Sequence, residues 1–388
     1  MPPLSIRREE LSLRFIARSL TTKKNPNYKY VRAPLDRAPN RPKLPKSLEV
    51  RLQDDAREAG LATTQIAEIG YPKSPPWCNP PVKSCITMGG KKTLPSELMK
   101  SEFLKHAAEH HGKHVFTDGS KSAAGVGCAV VMGEIVIRRK LPSSCSIFTA
   151  ETYAVILAVR HILNSDDQND SYTIFTDSNS VLFSIKQTMP SHHLVQELQD
   201  WLVLLKSRKN ISITFCWVPA HVGVDGNERA DKAAKEALEL LNPSPISIPY
   251  SDFKSIIHSH FKNKWQTRWS SLTTNTKLKE IHPSVDKWSS CNATSRRESI
   301  ILTRMRIGHT HATHSFLMKS GEGRQFPFCD TCQASLSVKH VLIECPDFNY
   351  RRRANSLQDR SLSELLGDQC NVSNLMNFLK STSFYHKF

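Results

Sequence analysis

The chain has 388 residues, 39% hydrophobic and 23% charged, with 53 Lys and Arg against 36 Asp and Glu for a net charge of +17. That length suits two ordinary domains, or one with long extensions, and no apolar run approaches the roughly eighteen residues of a membrane span. Arg7, Arg8, Glu9 and Glu10 interrupt the apolar start a signal peptide needs, so neither a membrane nor a secreted protein is expected. The ten cysteines are scattered singly except for Cys329 and Cys332, which suits a reducing, intracellular compartment, cytoplasm or nucleus. The charge is uneven: residues 1–110 hold 20 basic and 11 acidic residues, residues 111–240 hold 13 and 14, and residues 241–388 hold 20 and 11. Basic flanks around a neutral centre fit arms that hold a polyanion while the centre uses carboxylates; a merely solvated basic surface is the competing reading.

Residues 5–20 set Leu11, Phe15, Ile16 and Ala17 among charges at helical spacing, predicting an amphipathic connector helix within residues 1–20. Pro26, Pro34, Pro39, Pro42 and Pro45, then Pro72, Pro75, Pro76, Pro80 and Pro81, exclude a long helix or central strand. Residues 21–111 therefore read as a Pro-rich basic linker, mostly extended over 21–95 with a short helix near 47–60. A folded domain is expected over 112–241. Residues 114–118, 127–132 and 134–140 read as a three-strand meander, and 146–163 as a helix with Ser146 as N-cap. A strand at 172–178, helices at 181–187 and 193–208 divided by Pro190, a buried strand at 211–218 and a helix at 228–240 follow. The order β-β-β-α-β-α-α-β-α predicts an α/β fold, a five-stranded mixed sheet with helices on both faces. Pro243, Pro245 and Pro249 close this domain, and residues 250–388 read as helical patches around 252–270 and 294–306 before a Cys/His-rich region.

The segments FTDGS (116–120) and FTDSN (175–179) each end a predicted strand in an acid, Asp118 and Asp177. With Glu151 near the start of the first long helix and Asp231 in the first turn of the last, four carboxylates are expected at one end of the sheet. Any one of them alone reads as an ordinary turn residue. Four together repel unless cations neutralise them, and oxygen-only ligands select hard ions, Mg²⁺ or Mn²⁺.

In order and context, TDGS with Asp118, AE with Glu151, TDS with Asp177 and PAHVGVDGNERAD with His221, Asn227, Glu228 and Asp231 resemble the motifs of the type 1 ribonuclease H domain, over roughly residues 112–240. The resemblance implies a ribonuclease H-like fold and two-metal endonucleolytic hydrolysis of the RNA strand of RNA–DNA hybrids. By that resemblance Asp118 bridges two Mg²⁺ ions, with Mn²⁺ as a substitute. Asp231 completes the site that generates hydroxide, Glu151 and Asp177 hold the ion at the leaving 3′-oxygen, and His221 is a mobile proton-handling histidine. Gly119, Ser120 and Asn179 are candidates for sensing the 2′-hydroxyl and Ser146 for touching a DNA phosphate, with polar capping as an equal alternative. One departure is that residues 191–209 offer only Lys206, Arg208 and Lys209 around Trp201 where many members carry a larger basic cluster, so grip is expected from the basic arms.

In the tail, Cys329, Cys332, His340 and Cys345 make a tetrahedral zinc set within residues 329–345, closed and so structural; a redox pair or unrelated buried cysteines is the alternative. His309, His311 and His314 stand nearby as competing ligands or packing groups. A ribonuclease H domain followed by GHT…THS and a cluster ending HVLIECP, preceded by SIRREELSLRF and PPW, is similar to the C-terminal end of non-LTR, jockey-like retrotransposon polyproteins. That resemblance implies descent from, or partnership with, a reverse transcriptase, although the chain has no polymerase-type pair of adjacent aspartates in a hairpin. The competing functions are a catalytically silent nucleic-acid-binding remnant and a metal nuclease for another nucleic acid such as DNA branch points. The four acids count against the first and the PAH loop against the second.

Overall fold

The central strands form where β-branched and aromatic residues are densest. The computed structural model describes residues 2–28, 54–58, 66–70, 83–85, 95–110, 112–166, 170–272, 277–288, 293–318 and 326–388, with Pro75 and Trp77. Strands β2 (Lys113–Ser122), β3 (Gly125–Met132) and β4 (Ile135–Leu141) make the antiparallel meander, and its tight turns place Gly125 and Gly133 at positive φ. β5 (Ser171–Thr176) then pairs parallel with β2, and β6 (Ser212–Trp217) parallel with β5. These are the five expected strands in the expected order. A sixth, β1 (Lys83–Cys85), adds to the edge parallel to β6, with Cys85 opposite Cys216, giving the order β1-β6-β5-β2-β3-β4. Three residues are too few to carry a periodic signal, so β1 was invisible in the sequence.

Side chains alternate across the sheet and divide the core in two. Val115, Val130, Ile174 and Phe215 face α3 (Ile147–Asn164), α4 (Asn179–Ile185) and α5 (His193–Lys209), packing with Val155, Val159, Leu182 and Leu198. On the other face, Ala129 meets Ala233 and Ala234 of α6 (Asp225–Glu236). There Phe175 and Cys216 meet Phe103 and Ala107 of α2 (Ser96–Ala108), a helix the sequence reading did not anticipate in the linker. The helix expected within residues 1–20 is present as α1 (Leu4–Leu20), and residues 54–58 are helical within the range expected for a short helix. Most of the Pro-rich runs lie outside the described residues.

The chain divides into two units, residues 7–260 and residues 261–388 with 1–6. α7 (Tyr250–Ser271) and α9 (Arg296–Ile307) match the two helical patches, with α8 (Lys277–Ile281) between them. The second unit adds α10 (Asn349–Ala354), α11 (Leu362–Leu366) and α12 (Val372–Ser381), and its core includes Ile301, Leu302, Met305, Leu342, Leu375 and Phe378. Among the described residues, no helix is long and apolar enough to cross a membrane.

Candidate active site

Asp118 does not end its strand. β2 runs on to Ser122 against β3, but its pairing with β5 stops at Thr117 opposite Thr176, so Asp118 stands where β2 loses one neighbour and its edge opens. This corrects the expected strand end, and the physical reason is that the long meander arm keeps β2 extended after β5 has turned away. Asp177 likewise lies one residue beyond β5; its carbonyl accepts from Trp217 Nε1 at 3.1 Å, and Ser178 N–H donates to Thr176 Oγ1 at 3.2 Å.

Glu151 reaches the same place because Gly119 lets α3 approach. A Cβ at Gly119 would sit 2.8 Å from the backbone nitrogen of Glu151 and 2.9 Å from Ala150 Cβ. The Ser178 hydroxyl donates to Glu151 Oε2 while accepting from Val181 N–H as the N-cap of α4. Asp231 falls in the second turn of its helix, not the first, because α6 begins at Asp225 rather than at 228. Asp225 and Glu228 suit the positive end of the helix dipole, and Gly226 lies against the Phe116 ring, where a Cβ would come within 2.3 Å of ring carbons. Gly127 performs the same service for the far end of α6, since a Cβ there would stand 2.5 Å from Ala234 O.

The four carboxylates share one electrostatic neighbourhood. Asp118 is buried, and its pKa rises from 3.8 to about 8 through desolvation first and Asp177 next, with smaller contributions from Asp231 and Glu151; the Gly119 N–H at 2.8 Å opposes the rise. Burial raises Glu151, against the Ser178 hydrogen bond and with the help of Asp177. Burial also raises Asp177, with its own backbone N–H and His221 opposing and Asp231 adding. Asp231 carries an ion pair with Lys235 Nζ at 2.7 Å.

His221 is exposed on a loop whose backbone is left-handed at His221 (φ 54°) and Gly223 (φ 79°). A nitrogen of His221 and oxygens of Glu228 and Asp231 all lie within 4.8 Å of one another, and Gly223 N–H donates to Glu228 Oε1 at 3.2 Å. Ser178 and Lys235 were not among the site residues expected from sequence, and Glu228 was named there within the motif without a role. Two signals were present: Ser178 directly follows Asp177, and Lys235 sits four residues after Asp231 on one helix face. Gly119 and Ser120 are half-buried on β2, and Asn179 is exposed as the first residue of α4. Ser146 spends its hydroxyl as the N-cap of α3, accepting from Thr149 N–H at 3.2 Å, while its own N–H donates to Asp252 Oδ2 at 2.8 Å.

Residues 110–239 match the family model described as RNase H. This segment is an RNase H domain. A stretch of 140 residues is 27% identical to the Ribonuclease H of Rhizobium meliloti (strain 1021), covering 32% of this chain and 90% of that protein. The mixed sheet of β2 to β6 with helices on both faces is the α/β fold of such a domain. In the RNase H domain the donor set at the open edge is all oxygen, and the upward shift of three carboxyls is the response of acids crowded in a partly dry place. Such a set fits hard divalent cations.

The tail cysteines form a separate cluster. Ligand atoms of Cys329, Cys332, His340 and Cys345 lie within 4.8 Å of one another, with Sγ separations of 3.7 Å for Cys329 to Cys345 and 3.6 Å for Cys332 to Cys345. Sulfurs bound about 2.3 Å from one tetrahedral ion would be about 3.8 Å apart. A tight hairpin makes the first half: Cys329 N–H donates to Ala334 O and Gln333 N–H to Cys329 O, both at 2.8 Å, with Gln333 left-handed. A π-helical turn over His340–Glu344 makes the second, its closing bond running from Cys345 N–H to His340 O at 2.8 Å. His340 Nε2 is buried with no hydrogen-bond partner, and Nδ1 is 3.7 Å from Glu344 Oε2. The neighbouring His340 ring and the backbone N–H of Cys332 hold the Cys329 thiol low, at about 6. His309 and His314 stack on each other at 4.1 Å, and among the described residues neither joins the cluster.

Proposed function

We propose that the RNase H domain is a metal-dependent endonuclease that hydrolyses the RNA strand of RNA–DNA hybrids and leaves 5′-phosphate ends. The observation that carries this reading is the Asp118 carboxyl, buried at an open sheet edge in the combined field of Asp177, Asp231 and Glu151. Asp118, Glu151, Asp177 and Asp231 would hold two Mg²⁺ ions, or Mn²⁺ in their place. Bound there, the ions would supply a water acidified to near-neutral pKa and neutralise charge on the phosphoryl oxygens.

The protein's own side chains prepare that place. Ser178 fixes Glu151, Trp217 fixes the backbone of Asp177, and β2 holds Asp118 rigidly beside both. His221, on its exposed loop beside Asp177 and Asp231, carries protons to and from the reacting phosphate. Gly119, Ser120 and Asn179 contact the hybrid where the 2′-hydroxyl distinguishes RNA from DNA, whereas Ser146 is committed to capping α3 and to Asp252. The basic flanks supply the general attraction for nucleic acid. The Cys329, Cys332, His340 and Cys345 cluster holds a structural Zn²⁺: the four ligands close the coordination shell, and the orphaned His340 Nε2 gains a partner. The RNase H domain followed by this Cys/His unit supports descent from a non-LTR retrotransposon, with a reverse transcriptase as working partner.

The test is cleavage of a labelled RNA–DNA hybrid in Mg²⁺ by the full chain and by Asp177→Asn. The expected result is 5′-phosphate RNA products and a loss of at least about a hundredfold in the variant, since metal-site charge stabilisation supplies several kcal/mol. Equal rates defeat the role of Asp177, and no cleavage by the parent favours the silent remnant.

A further inference from the structure

Another set of nitrogen and sulfur ligands lies on the sheet face that α2 covers. His106 and His110 are four residues apart, the first near the end of α2 and the second just past it. The turn continues through them because Glu109 N–H donates to His106 O at 3.1 Å and His110 N–H to Ala107 O at 3.2 Å. That spacing keeps both imidazoles on one side of the helix. Phe103 and Ala107 of the same helix pack with Phe175 and Cys216, so the buried thiol of β6 faces α2. A ring nitrogen of each histidine and Cys216 Sγ all lie within 4.8 Å of one another.

The distances suit an ion. His106 Nε2 and His110 Nε2 are 3.2 Å apart, and two nitrogens each about 2.0–2.1 Å from one tetrahedral ion would be about 3.3–3.4 Å apart. The other nitrogen of His106, Nδ1, is 3.2 Å from Glu109 Oε2, the carboxylate contact that orients metal-bound imidazoles. The competing account is a plain imidazole–imidazole hydrogen bond, in which one ring donates and the other accepts, with the thiol as an apolar neighbour.

We propose that His106, His110 and Cys216 bind a borderline-soft divalent ion, Zn²⁺, which staples α2 to the sheet of the RNase H domain. Two imidazoles and one thiolate select zinc over magnesium, so this site does not compete for the hard ions of the carboxylates. Three protein ligands leave a fourth position for water. On binding, Cys216 gives up its thiol proton to solvent and the sulfur forms the bond to the ion, so the apparent affinity rises with pH.

The experiment uses the full chain carrying Cys329→Ser and Cys345→Ser, which removes the tail thiols as a source of metal. The protein is loaded with ZnCl₂, freed of loose ions and assayed for zinc; a parallel sample is loaded with Co²⁺ and its absorption spectrum recorded. About one equivalent of zinc and a thiolate-to-cobalt band in the near ultraviolet are expected. Adding His106→Ala and His110→Ala lowers the zinc at least about tenfold and abolishes the band, and Cys216→Ser abolishes the band as well. Should the tail variants fail to fold, the histidine substitutions are made in the parent chain, where the expected change is a drop of about one equivalent. Equal zinc content and equal cobalt spectra with and without His106 and His110 would overturn the proposal. Neither readout depends on hybrid cleavage, so failure here leaves the nuclease reading untouched.

Discussion

The acid cluster of the RNase H domain and the thiol cluster of the tail gather their ligands in opposite ways. Asp118, Glu151, Asp177 and Asp231 arrive from β2, α3, the end of β5 and α6, so only the finished sheet brings them together. Cys329, Cys332, His340 and Cys345 lie within one hairpin and one π-helical turn of each other. The first cluster is imposed by a large core and tolerates repulsion, because many buried contacts hold the acids in place. The second is gathered by a short segment whose Cys329, Val338, Val341, Leu342 and Cys345 pack into the second unit's core. The two clusters therefore differ in how much of the chain must fold before their ligands meet.

The largest effect expected from this contrast is at the thiols. Chelation of zinc, or Cys329→Ser with Cys345→Ser, should cost one equivalent of zinc and unfold the tail hairpin, since structural zinc is worth about 10 kcal/mol or more of apparent binding energy. Hydrogen exchange at residues 326–345 measures it. Unchanged protection would show that the hairpin stands without metal, and the contrast would break.

At the acids, removing metal should do the reverse. The folded state holds a proton on Asp118 that the unfolded chain releases between about pH 4 and pH 8, so in chelator, stability falls as pH rises through that window. Asp118→Asn removes the Asp118 share of the fall, leaving that of Glu151 and Asp177, and should stabilise the metal-free protein by about 2–4 kcal/mol at pH 8 while abolishing cleavage. Urea unfolding at pH 5 and pH 8 reads the difference, and parallel pH dependence in parent and variant would remove the claim that Asp118 is crowded.

Gly119→Ala sharpens the comparison from the packing side. The added methyl meets backbone and Cβ atoms of α3, so a stability loss of about 1–3 kcal/mol is expected together with reduced cleavage. The smallest effect is expected for Ser178→Ala, which frees Glu151 from its hydroxyl partner: a loss of about tenfold or less in rate, with little change in thermal unfolding. A rate equal to the parent would mean that Ser178 serves α4 as a cap and nothing more.

Much of this architecture was legible because it is written in local periodicity. Strands β2 to β6 alternate or run apolar between Gly and Pro breaks, and α3 carries its apolar stripe behind a serine cap. The acids stood out because the run Phe-Thr-Asp occurs twice, at 116–118 and 175–177. Boundaries were less legible. The start of α6 was placed late because Asp225-Gly226-Asn227 looks like turn chemistry, whereas Gly226 is there to clear the Phe116 ring and Asn227 is buried. Helix α2 escaped notice because only Phe103 and Ala107 of its residues are buried, too thin a stripe to register.

Residue type and spacing alone determined the order of elements within residues 112–241, and singled out the four acids and the zinc-like tail set, while β1 and α2 escaped them. Only the folded chain decided that Asp118 sits mid-strand at an opened edge, that Ser178 grips Glu151, and that a buried cysteine of β6 meets two histidines of α2. Those facts depend on where a neighbouring strand stops and which helix covers which face, and contacts between distant segments leave no periodic trace in the sequence that forms them.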